Sequence, residues 1–166
     1  ERVFRLEIET LDKVREGVNG DYVKAAELLF RCSGKVVVTG VGKSGLIAQK
    51  IASTMVSTGT PAIFLHPGEG MHGDVGIVRK GDVVLAISKS GESEELLSLL
   101  FYVNKIGVPV ISITAEPKSA LAQSSYLVLH TPVDEEACPL NLAPTSSTTV
   151  ALVVGDGLAM ALMKKR

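Results

Sequence analysis

Tryptophan is absent from this 166-residue chain, and aromatic residues make up only 4% of it. Val, Ile, Leu and Ala must therefore fill the core, the composition of strands buried on both faces of a parallel sheet. Cysteine is scarce too. Cys32 and Cys138 lie far apart, which leaves no disulfide framework and no C-x-x-C metal pattern. Neither sign of charge dominates: the formal net charge is −1, without a basic run or basic-aromatic interleaving, which argues against nucleic acid as a partner. No apolar run approaches the roughly 20 residues that span a bilayer, and no secretory leader is visible. A reduced, cytoplasmic setting without membrane contact is the expectation. The chain starts at Glu1 rather than Met and stops at Lys164-Lys165-Arg166 straight after an apolar helix pattern, so an excised domain of a longer protein is expected.

What is present is apolar and regularly punctuated. The chain is 46% hydrophobic with a mean hydropathy of +0.30, and its length suits one domain, 1–166, with a full core. Residues 1–33 read as two helices. The first, 2–16, is charged, with Val3, Leu6, Leu11 and Val14 as a sparse stripe; the second, 21–32, turns Val23, Ala26, Leu29 and Phe30 inward and ends at Ser33-Gly34. From 34 to 166 strand and helix patterns alternate. Strands are predicted at 35–39, 61–65, 83–88, 109–114 and 126–130, and helices at 44–57, 93–106, 118–123 and 147–164. This is a doubly wound, three-layer α/β/α sandwich on a five-stranded parallel sheet, with the flavodoxin-like order 2-1-3-4-5. In that order strands 1 and 3 are neighbours, and ligands bind in the crevice beyond their carboxyl ends.

Those two strands run into similar loops. Val36–Thr39 leads to Gly40-Val41-Gly42-Lys43-Ser44-Gly45, and Val83–Ile87 leads to Ser88-Lys89-Ser90-Gly91-Glu92-Ser93. Glycines, hydroxyls and a lysine at the mouth of a helix suit an anion, because backbone N–H groups and the helix dipole face it there. The first loop matches G-x-G-x-x-G, but a dinucleotide site also needs an acid about 20 residues on, and Ala62–His66 ends without one. A P-loop would need glycine at Val37. The second loop carries three hydroxyls where a helix cap needs one. A phosphorylated small molecule fits the pair.

Proton-transfer candidates lie at the same sheet edge. Of the histidines, His66 ends a strand and reads as a loop hydrogen-bonder, His130 reads as structural, and His72, flanked by a glycine-rich stretch, is the candidate proton carrier. Among the acids, Glu136 abuts Ala-Cys-Pro rather than open charge, so half-burial and a raised pKa are expected of it, with Glu95 as the competing base. No His/Cys/Asp/Glu grouping has the spacing of a dedicated metal site.

With these segments assembled, the chain resembles the sugar isomerase (SIS) domain family, and within it the arabinose 5-phosphate isomerases. The matching stretches are Gly40–Gly45, Ser57–Pro61, His66-Pro67-Gly68-Glu69 with His72-Gly73-Asp74, Ser88–Ser93, and Glu136-Ala137-Cys138-Pro139-Leu140 with Leu142–Thr148. The resemblance covers about the whole chain. It implies metal-free interconversion of D-ribulose 5-phosphate and D-arabinose 5-phosphate without a cofactor, a step toward Kdo for lipopolysaccharide or capsule. It also implies a homotetramer with shared active sites. The family's catalytic groups fall on Lys43, His72, Glu95 and Glu136, and its phosphate ligands on Ser88, Ser90 and Ser93, with Gly42, Ser44, Lys89, Thr145 and Ser146 beside them. Zinc at His72 would be an inhibitory, adventitious ligand. Lys89 stands where the family commonly has Asn. The family continues into a segment with another active-site histidine and into paired CBS domains. Two alternatives are a SIS isomerase of hexulose or heptose phosphates, and a non-catalytic sugar-phosphate sensor.

Overall fold

The computed structural model describes all residues, 1–166. Five parallel strands, β1 (Val36–Gly40), β2 (Ala62–Leu65), β3 (Val83–Ile87), β4 (Val110–Thr114) and β5 (Leu127–His130), form one sheet in the order β2-β1-β3-β4-β5. The predicted order is the one observed. In the central strands alternate residues serve opposite faces. Val36, Val38, Leu85, Ile87, Ile111 and Ile113 enter one core, while Val37, Val84, Ala86 and Val110 enter the other. Both faces are apolar because both are covered, which is why these strands read as continuous aliphatic runs.

The first face is covered by α1 (Arg2–Glu16), α2 (Gly20–Phe30), α3 (Gly42–Ser57) and α7 (Ser146–Lys165); the second by α5 (Glu94–Ile106) and the short α6 (Ala120–Gln123). The two N-terminal helices differ in detail from expectation. Val3 and Val23 face out, with Val23 60% exposed, while Leu6 and Val14 of α1 and Ala25 and Leu29 of α2 are buried. The inward stripe of α2 runs Tyr22, Ala25, Ala26, Leu29, and Val23 lies about 100° away from Tyr22 on a helix of 3.6 residues per turn.

Two further differences concern single segments. The glycine-rich stretch after β2, read as a loop, holds a helical turn α4 (Pro67–Met71) and a 3₁₀ turn at Asp74–Ile77. Pro67 sits at the first helical position, where its missing N–H costs nothing, and His66 Nδ1 caps the turn by accepting Gly68 N–H at 3.1 Å. Helix α7 has 20 residues and a mean hydropathy of 1.4 over its most apolar window, long and apolar enough on those counts to cross a membrane. Half of that window is buried inside the fold instead, with Val150, Val154, Leu158 and Leu162 in the core.

Candidate active site

β1 and β3 are register partners to their last residues, Gly40 opposite Ile87, so the loops that follow leave the sheet side by side. At the first, Gly42 adopts φ +59°, a left-handed turn that opens α3 with only Val41 at the capping position. At the second, Ser93 precedes α5 and makes no side-chain cap bond. Both helices therefore present uncapped amides and the positive end of their dipoles to the crevice. One small cleft joins the loops, with Ser44, Lys89, Thr131 and Ser147 as its polar walls. The two motifs converge, as their topology requires.

The serine loop is rigidly built. Ser88 is buried, and its Oγ accepts Gly91 N–H at 3.1 Å. Gly91 takes φ +66° with its α-carbon so close to Ser119 that a β-carbon would lie 2.1 Å from Oγ, so no other residue fits. Thr114 Oγ1 and Ala115 N–H both donate to Lys89 O at 3.1 Å, and Glu92 Oε1 accepts Ala120 N–H at 2.9 Å. Ser88 thus shapes the turn, whereas Ser90 is exposed and Ser93 half-buried at the helix mouth.

Glu136 departs from expectation. Its side chain is 2% exposed, not half-buried, and is fully engaged. Oε2 accepts Thr145 N–H at 2.7 Å, Ser147 N–H at 3.2 Å and the Thr145 hydroxyl at 3.2 Å; Oε1 accepts Lys89 Nζ at 2.8 Å. Burial pushes this carboxyl up, but the donors from Lys89, Ser147 and Thr145 outweigh it and hold the pKa at about 2. The expected raised value is corrected to a strongly depressed one, because the start of α7 surrounds the carboxylate with donors. Two expected phosphate ligands follow suit. Thr145 is spent on Glu136 and on accepting Ala137 N–H at 2.7 Å, and Ser146 is wholly buried with its hydroxyl unpartnered. Ser147, outside the expected set, lines the cleft. Its signal lies in the Thr145–Thr149 hydroxyl run, but only helical phase tells which member faces out.

The remaining candidate groups are all solvent-exposed. Lys43 is exposed in the first turn of α3; two turns on, Lys50 on the same face grips Asp156 at 2.6 Å. Glu95 is exposed in the first turn of α5. One turn later Leu99 meets Gly70, so α4 packs on α5, and His72, which follows α4, is exposed. His130 Nε2 pairs with Ala115 O at 3.1 Å, the structural part expected of it. No three His, Cys, Asp or Glu side chains converge within the chain.

Residues 29–161 match the SIS domain. The chain belongs to the SIS domain family. The SIS domain here is 52% identical over 166 residues to an arabinose 5-phosphate isomerase of Francisella tularensis, covering 98% of this chain and 51% of that protein. It is 50% identical to the arabinose 5-phosphate isomerase of Pseudomonas aeruginosa, covering 100% and 51%. The chain thus spans about half the length of the curated relatives it matches. Among solved structures, an E. coli CFT073 protein in complex with arabinose 5-phosphate superposes with a TM-score of 0.95 at 44% identity, covering 99% of this chain and 87% of that one.

An apolar groove of this SIS domain lies elsewhere. With a volume of about 350 Å³, it runs between α1, α2 and α7, lined by Leu11, Val14, Val18, Val150 and Val153 among others. It has almost no polar lining and no contact with either anion loop, so it is not the place for sugar chemistry.

Proposed function

We propose that this chain is the isomerase domain of a protein that interconverts D-ribulose 5-phosphate and D-arabinose 5-phosphate. The observation that carries the reading is that β1 and β3 pair to their last residues, so the loops opening the uncapped helices α3 and α5 leave the sheet side by side, with Ser44 of the first and Lys89 of the second lining one cleft. Whole-chain identity of about half to arabinose 5-phosphate isomerases supports the choice of sugar.

The phosphate takes the place of the missing cap on α5, held by the Ser90 and Ser93 hydroxyls and the free amides of the first turn, within the frame that Ser88 sets. The reacting end lies toward α3. There Glu95 takes a proton from C1 of the ketose and returns one to C2, and Lys43 stabilises the enediolate oxygen between the two transfers. His72 moves hydroxyl protons and assists ring opening. Neither a metal nor a redox partner is needed, because carbon's net change is a proton moved between adjacent atoms.

The domain works in a homotetramer. The exposed Phe4 and Ile8 of α1 and Val153 and Met160 of α7 give the apolar surface that an association face needs. Its setting is cytoplasmic, its product serves Kdo synthesis, and the protein continues beyond this domain into a further histidine segment and CBS domains.

The test is incubation of the full-length protein with D-ribulose 5-phosphate in D2O. D-Arabinose 5-phosphate carrying deuterium at C2 is expected. A different labelled sugar phosphate would replace the substrate assignment, and binding without label would overturn the isomerase reading in favour of a sensor.

A further inference from the structure

We infer that Glu136 is a positioning residue: its carboxylate caps helix α7 and tethers Lys89 of the serine loop, holding that ammonium ready beside the phosphate. The reading deepens the isomerase proposal and rests on it for its kinetic arm alone.

Three long helices begin at the ligand edge of the sheet. Two of them, α3 and α5, lack side-chain caps, and the third is capped from within by Glu136, whose Oε2 collects the Thr145 and Ser147 amides at 2.7 and 3.2 Å. An anion already occupies that N-terminus, so the incoming phosphate is left with the other two. The second oxygen of Glu136 meets Lys89 Nζ at 2.8 Å. Lys89 lies between Ser88 and Ser90 in the loop, and its side chain keeps 39% of its exposure. A lysine has three N–H donors; one is spent on Glu136 and two remain for a ligand.

The position of Glu136 is itself over-determined. Its own N–H donates to Asn141 Oδ1 at 2.7 Å, and Asn141 accepts a left-handed φ of 54° in that turn. On the outer side Arg2 Nη1 donates to Ala137 O at 3.1 Å and Nη2 pairs with Glu135 at 3.0 Å, while Lys13 grips Asp134 at 2.7 Å. Helix α1 thus straps down the segment that carries the carboxylate. The only charged group on the carboxylate itself is Lys89. A base needs an oxygen open to the substrate and room to move; Glu136 is 2% exposed, with Oε2 held by three donors and Oε1 by Lys89.

The decisive experiment is Glu136→Gln, Lys89→Met and the double variant in the full-length protein, assayed with D-ribulose 5-phosphate. Glu136→Gln is expected to raise KM about tenfold while kcat stays within about threefold and the acid limb of the kcat–pH profile keeps its place. Lys89→Met should give the same KM rise, and the double variant should be no worse than either single, since both remove one coupled pair. A loss of about 10²–10⁴ in kcat at unchanged KM with loss of the acid limb would mark Glu136 as the base and overturn the inference. Additive KM effects would overturn the tether. A structural readout independent of activity uses the unaltered 166-residue chain: the Glu136 carboxyl carbon, followed by NMR, should stay ionised down to about pH 3, and titration between pH 5 and 7 would refute the cap. That arm stands even if the sugar assignment fails.

Discussion

Acid should weaken this fold through one carboxylate more than through any exposed one. Glu136 has a pKa of about 2 in the folded chain against an ordinary 4.5. Because the folded value is the lower one, the stabilisation is fully present above pH 4.5 and is lost as pH falls from 4.5 toward 2. A tenfold change in proton affinity is worth about 1.4 kcal/mol, so the drop from 4.5 to about 2 amounts to about 3 kcal/mol at neutral pH. Glu136→Gln removes the charge and keeps the shape. Urea unfolding followed by circular dichroism, at one protein concentration, should find the variant less stable by about 3 kcal/mol at pH 7. That gap should shrink below pH 4.5 and close near pH 2, where the parent's own carboxylate is protonated. A gap that stays constant from pH 7 to pH 3, or one that widens in acid, would mean that the Glu136 carboxylate does not stabilise the fold through its charge.

Other substitutions separate stability from ligand binding. Asp82 is 3% exposed at the opposite edge of the sheet, where it accepts the Lys35 ammonium at 2.7 Å and the Lys35 and Arg79 amides at 2.9 Å. Asp82→Asn should cost about 2–4 kcal/mol in urea unfolding and leave phosphate affinity by calorimetry unchanged. A β-carbon on Gly155 would lie 2.3 Å from Ile51 Cδ1, so Gly155→Val should lower stability by about 1–3 kcal/mol or more as α7 is forced off α3; an unchanged melting curve would mean that the helices are not in contact. Ser93→Ala should leave the melting temperature as it was, since no cap bond is lost, and weaken inorganic phosphate binding about three- to tenfold. Lys43→Met should lower kcat by about 10² or more with a smaller change in KM; equal losses in both would make Lys43 a phosphate ligand only.

The aliphatic runs Val36–Val38 and Val83–Ile87 betray buried parallel strands because period-two patterning vanishes when both faces are covered, and the loops after them mark the ligand edge. The aliphatic runs do not say which strands are neighbours; the order 2-1-3-4-5 comes from likening the alternating strands and helices to the flavodoxin-like arrangement. Side-chain facing is less legible: Val23 and Tyr22 are both apolar enough for a core, and only the position of α2 against the sheet chooses between them. The turn at Pro67–Met71 is hidden because two of its five residues are glycines, which propensity assigns to loops, although Pro67 after His66 is a legible start. At the site, neighbouring residue types mislead. Glu136 beside Ala-Cys-Pro does become buried, but the donors that lower its pKa come from Lys89, 47 residues away, and from amides of a helix nine and eleven residues on. Composition near a carboxylate tells its burial better than its hydrogen bonds. The same folding event spends Thr145 and turns Ser146 inward, which the hydroxyl run alone could not disclose.

In the proposed complex the anionic end of a pentose phosphate docks on the mouth of α5 while its other end reaches the loop before α3. Amide shift mapping of the ¹⁵N-labelled chain during titration with D-arabinose 5-phosphate tests it most directly. The largest changes should fall on Ser90, Ser93 and Glu94, with a second set at Gly42, Lys43 and Ser44. Silence at both loops, with changes gathered along the apolar groove of α1, α2 and α7, would contradict it.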